Sequence, residues 1–142
     1  QRSLAKSQYK GKMNPADISI PEVLHQAAGI FLQELQGHTQ ALESCGKELE
    51  PLVSNESAFH KHLKGSCKNL AERCHLIKGG AGFLNLTELR EASSEGEKYF
   101  RALDDKAPAK QVLAEIVKLS EILRENSIAL EGALHRKPDR DE

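Results

Sequence analysis

The sequence predicts an all-α fold, an antiparallel four-helix bundle with a flexible N-terminal leader and a polar C-terminal tail. Three observations lead there. Leu, Ala, Glu and Lys are common while β-branched residues are sparse, a balance that favours helix over strand. Aromatic residues make up only 4% of the 142 residues and Trp is absent, which suits aliphatic helix packing better than a β-sandwich. Apolar residues recur at alternating spacings of three and four along several long stretches, the signature of amphipathic helices. The length allows one domain with a real core.

Residues 1–20 show no periodicity and carry Gly11, Pro15 and scattered charge, so a leader is expected there, flexible or with one short helical turn at Asn14-Pro15. The bundle is expected over residues 21–135. Pro21, at a first helical position, opens a helix to about Cys45 with the seam Leu24, Ala28, Phe31, Leu35, His38, Leu42 and Cys45. Gly46 is expected to stop it, and Glu50-Pro51 to break any continuation. Ser54 or Asn55 caps a second helical region reaching about Phe83, with a break or kink expected at Gly65-Ser66. Asn85 supplies a left-handed cap. A third helix follows from about Leu86 to Leu103, and a last one from about Pro108 to Leu134, with Val112, Ile116, Leu119, Leu123, Asn126 and Leu130 facing inward. Residues 136–142 are polar and are expected to be a disordered tail.

Composition narrows the partners. A formal net charge of −1 provides no global field for nucleic acid or an acidic membrane, so neither is expected as a partner. No run approaches the roughly 18 apolar residues of a membrane span. Three cysteines, Cys45, Cys67 and Cys74, cannot all pair within one chain and all fall on apolar seams; reduced core thiols in a cytoplasmic domain are expected. Four closed seams imply a monomer.

The informative stretch is Cys74-His75-Leu76-Ile77-Lys78-Gly79-Gly80-Ala81-Gly82-Phe83. Leu63, Cys67, Leu70, Cys74, Ile77, Ala81 and Leu84 form its buried seam, and His75 falls just off it. Ala71, Glu72, Lys78 and Gly79 lie one turn from His75, with Gly82 two turns away. Each glycine weakens a helix by about 1 kcal/mol relative to alanine. Three of them beside a nucleophilic imidazole read as space kept for something large to approach.

These residues resemble the signature of histidine-containing phosphotransfer (HPt) domains. The run His75-Leu-Ile-Lys78-Gly79-Gly80-Ala81-Gly82, followed by Leu84, Asn85 and Leu89, is especially similar to the phosphotransfer domain of chemotaxis-type histidine kinases. The match extends without gaps to Glu97 and covers about 25 residues; Asn85 stands where the family usually has Gly, and residues 46–66 form a longer connection than usual.

The resemblance implies a four-helix bundle that carries a phosphoryl group on His75 between response-regulator aspartates. It implies that Glu97 orients the imidazole, that Lys78 neutralises phosphoryl oxygens, and that Ala71, Glu72, Gly79 and Gly82 receive the partner. The partners implied are receiver domains of response regulators or of a parent sensor kinase, and the metal, Mg²⁺, belongs to the receiver. No cofactor of the domain's own is expected, and no nucleotide-binding motif is present for autonomous kinase activity. Because the chain begins at Gln1, a fragment is expected, most simply the C-terminal domain of a hybrid sensor kinase in a multistep phosphorelay. An arrangement with a downstream kinase domain acting directly on His75 is the second possibility, and a non-catalytic helical adaptor the third.

A histidine without context is an ordinary surface residue, and His38 on its seam is a core or boundary histidine. The glycines alone could serve close helix packing, but that leaves the adjacent lysine and histidine unexplained. A zinc set drawn from His60, His62, Cys67, Cys74 and His75 has poor spacing, since His60 and His62 point about 200° apart on a helix; no metal site is expected. Cys74 sits on the seam, so burial and inertness are expected rather than a reactive thiol.

Overall fold

The computed structural model describes residues 18–136, and helices occupy most of that range. They are α1 (His25–Leu49), α2 (Glu56–Ser66), α3 (Leu70–Phe83), α4 (Thr87–Arg101) and α5 (Ala109–His135), with 3-10 turns at Glu22–Leu24 and Glu50–Leu52. No strand occurs among the described residues, so the fold is all-α. The leader up to residue 17 and the tail from residue 137 lie outside the described residues.

The α-helix count among the described residues is five rather than four, because the second expected region divides. Asn55 caps α2, its Oδ1 accepting from the Ala58 N–H at 3.1 Å. The helix ends at Ser66, and Cys67 leaves helical geometry at φ −120°, ψ 37°. Phe59, fully buried, anchors α2, and burying such a side chain contributes about 1.5–3 kcal/mol. Two polar contacts tie α2 to the start of α5. His60 Nε2 lies 2.8 Å from the Ala107 carbonyl, and the Glu56 carboxylate accepts from the Ala109 N–H at 3.0 Å. That carboxylate fills the capping role that Pro108, without a side-chain donor or acceptor, cannot fill.

α1 also departs from expectation at its end. Gly46 does not stop it; it is buried within the helix, which runs on to Leu49. The reason is the seam itself: Leu49 continues the series Leu35, Leu42 and Cys45 and is fully buried. Pro51, with no N–H to donate, then ends the α-helical pattern.

α3 packs chiefly against α4, and α1 chiefly against α5; lesser contacts join α4 to α5 and α1 to α3. Ala28, Phe31, Leu35, Ile77, Leu89 and Leu123 belong to one shared core cluster. Two glycines set how closely helices approach. A Cβ on Gly80 would overlap the Phe31 ring of α1, and one on Gly96 would sit 3.0 Å from Cys74 Sγ. At the ends of the described chain, Ile18 is buried and Arg136 Nη2 donates to its carbonyl at 2.9 Å.

The cysteines correct the expectation of three reduced thiols. Cys45 of α1 and Cys67 are joined in a disulfide with Cα atoms 5.9 Å apart, while Cys74 is free and buried. Because α2 ends at Ser66, Cys67 lies against α1 instead of continuing a straight seam toward Cys74. No helix among the described residues is long and apolar enough to cross a membrane.

Candidate functional site

α3 holds its helical form despite three glycines because its inner face is packed and its end is closed. Leu70, Cys74, Ile77 and Ala81 are buried. At the C-terminus Asn85 takes φ 64°, the left-handed conformation that asparagine tolerates better than most residues. The Leu86 N–H then reaches the Ala81 carbonyl at 2.8 Å and the Asn85 N–H the Gly82 carbonyl at 3.2 Å, which together form a Schellman closure. The turn returns the chain as α4, which packs against α3 and brings Glu97 beside His75.

His75 projects from α3 with its side chain 54% exposed. Its Nδ1 lies 3.2 Å from Glu97 Oε2, and Nε2 has no partner among the described residues. Glu97 is only 11% exposed and is held by two cations. Lys78 Nζ is 2.8 Å from Oε1, while Arg101 reaches Oε2 through Nη2 at 2.8 Å and Nε at 2.9 Å. The hydrogen bonds from Lys78 and Arg101 pull the Glu97 carboxyl down to about 2, against the opposing effect of burial. A carboxylate so held stays charged near neutrality. It favours the tautomer with the proton on Nδ1, which leaves the lone pair on Nε2.

The surroundings of the ring are sparse in bulk. A Cβ on Gly79 would meet nothing within 4 Å, and one on Gly82 would only touch the Arg90 side chain at 3.4 Å. Glu72, Gly79 and Gly82 are exposed and Ala71 is half-buried. Lys78 lies on the same face but is engaged with Glu97 rather than free. The packing explanation for the glycines therefore applies to Gly80, which faces Phe31, and not to Gly79.

Sequence reasoning missed three residues. Arg101 clamps Glu97 from one turn along α4, a relation visible in the i, i+4 spacing of opposite charges. Leu76 and Phe83, 53% and 65% exposed, flank His75 and the glycines as apolar groups off the seam. Ile30 of α1 is exposed as well, whereas Leu32 is half-buried.

The remaining candidates do not join the site. Burial, and then the neighbouring Glu97 charge, push the Cys74 thiol up to about 12, so it is not a nucleophile near neutrality. His38 is half-buried with Nδ1 3.0 Å from Arg73 Nη1; burial first, and Arg73 second, lower its pKa. His60 is occupied by the Ala107 carbonyl, and neither it nor His75 meets His62. No family model, curated protein or solved structure matches the chain.

Proposed function

We propose that this chain is a histidine phosphotransfer domain that accepts a phosphoryl group on His75 from a receiver-domain aspartate and passes it to another receiver. The observation that carries the reading is the exposed imidazole with Nδ1 against a charged Glu97, Nε2 without a partner among the described residues, and no bulk beside it at Gly79. In the forward step Nε2 attacks phosphorus, the N–P bond forms, and the P–O bond to the aspartyl carboxylate breaks. The proton stays on Nδ1, where Glu97 offsets the positive charge that develops on the ring. Transfer onward reverses these events at a second receiver, whose bound Mg²⁺ assists on the partner's side.

Lys78 has two uses in this scheme. At rest it neutralises Glu97, and on phosphorylation its flexible amine swings to the phosphoryl oxygens while Arg101 keeps Glu97 charged. Leu76, Gly79, Gly82 and Phe83 present an apolar, low-relief face to the receiver, with Ala71 and Glu72 at its near edge. We take α1, α3, α4 and α5 to be the antiparallel four-helix bundle of such domains, supported by the pairing of α3 with α4 and of α1 with α5. In this reading α2 is an added helix across the connection. The parent is a hybrid sensor kinase acting in the cytoplasm, and the domain works as a monomer.

Incubation with phosphorylated receiver domains tests the proposal. The expected product is acid-labile, alkali-stable label on this chain that disappears in His75→Gln. Label persisting in that variant means the wrong residue has been assigned. A wild-type chain that never labels, yet still binds receivers, is the helical adaptor instead.

A further inference from the structure

A second group of reactive side chains lies where α1 meets the junction of α2 and α3. A carboxylate oxygen of Glu48, a ring nitrogen of His62 and Cys67 Sγ all lie within 4.8 Å of one another, and Cys45 Sγ is bonded to Cys67 Sγ. The placement follows from the helices. Cys45 and Glu48 are one turn apart on α1 and so share a face. His62 comes from the last turns of α2, and Cys67 follows where that helix stops. The two sulfurs are buried while Glu48 and His62 stand at the surface, 52% and 32% exposed, so the cluster opens to solvent on one side.

We propose that, once the Cys45–Cys67 disulfide is reduced, Cys45, Glu48, His62 and Cys67 form a tetrahedral zinc site. Two thiolates, one imidazole and one carboxylate are the donor types zinc takes, at bond lengths of about 2.0–2.3 Å that set ligand atoms about 3–4 Å apart. Glu48, His62 and Cys67 already approach that spacing, with His62 and Glu48 in contact at 2.9 Å, and Cys45 is held beside them by its bond to Cys67, whose release lets the two sulfurs part around an ion. Reduction is a thiol–disulfide exchange with a dithiol. One dithiol sulfur attacks a cystine sulfur, the second resolves the mixed disulfide, and two electrons pass to the cysteine pair as the dithiol becomes a disulfide. Zinc then displaces the two thiol protons to solvent. Bond and metal are alternative fastenings of the same junction, which lies three residues before the helix carrying His75. The site is independent of the phosphotransfer reading, since it uses neither His75 nor Glu97.

The test uses the full chain, reduced under argon with a phosphine, freed of reductant, and titrated with Co²⁺ and then Zn²⁺. The expected result is one ion per chain, with thiolate-to-cobalt charge transfer and the visible bands of a tetrahedral ion, both lost when zinc displaces cobalt. The oxidised chain is expected to show none of this. His62→Ala, a substitution at a half-exposed position, weakens zinc at least as much as the roughly 10–100-fold that second-shell changes cost at such sites. Cys45→Ser with Cys67→Ser abolishes the charge transfer, with helical circular dichroism as the check on folding, and Cys74→Ser leaves binding unchanged. Reduced wild-type chain that binds no cobalt overturns the proposal, as does binding that survives His62→Ala undiminished or is lost in Cys74→Ser.

Discussion

The molecule contains two histidine–glutamate pairs at nearly the same separation, His75–Glu97 at 3.2 Å and His62–Glu48 at 2.9 Å. Their surroundings differ. Glu97 is mostly buried and clamped by Lys78 and Arg101, so its charge is fixed, and the role proposed for it toward His75 is to hold a tautomer. Glu48 is half exposed and lies near the Cys67 sulfur, so the same kind of pair is proposed as part of a ligand set. A histidine beside a carboxylate is therefore not a function. In the two proposals, neighbouring cations suit the ring to act as an oriented nucleophile, and neighbouring sulfurs, once reduced, suit it to act as a metal donor.

The sharpest way to break this contrast is to exchange the two imidazoles for amides. His75→Gln is expected to lose all phosphoryl label, while His62→Gln keeps wild-type transfer rates in a receiver assay. The carboxylates follow with a smaller effect. Glu97→Gln is expected to slow transfer about 10- to 100-fold, the loss of one charge-assisted contact expressed as rate, and Glu48→Gln to leave it unchanged. Single-turnover kinetics against a phosphorylated receiver read both.

The glycines give the next contrast, in stability. Gly80→Ala forces a Cβ into the Phe31 ring and is expected to destabilise by about 1–3 kcal/mol in urea unfolding, the usual cost of overpacking. Gly79→Ala meets open space and is expected to stabilise by up to about 1 kcal/mol through helix propensity, while weakening receiver docking. The smallest effect is in acid. The Glu97 carboxyl is held near 2 in the folded chain, below its unfolded value of 4.5. Its contribution is therefore fully present above the unfolded value and declines as pH falls from there toward 2. Stability measured across that range is expected to fall less steeply in Glu97→Gln than in wild type.

Much of this was legible in the sequence because it depends on local spacing. The seam residues Leu70, Cys74, Ile77 and Ala81 are buried as their period requires, His75 stands outside them, and Asn85 takes the left-handed turn. What was not legible depends on tertiary contact. Gly46 looked like a helix stop, but burial of Leu49 against the core outweighs its weak propensity. The pairing of Cys45 with Cys67 required knowing that α2 ends where Cys67 can turn toward α1. Arg101 was visible as a charge four residues from Glu97, but its two contacts to one carboxylate oxygen needed the fold.

The most direct measurement is of which ring nitrogen carries phosphorus. With ¹⁵N-labelled histidine and a phosphorylated receiver as donor, nuclear magnetic resonance is expected to show phosphorus coupled to Nε2 of His75, with Nδ1 still protonated. Phosphorus on Nδ1, or on another histidine, would contradict the account.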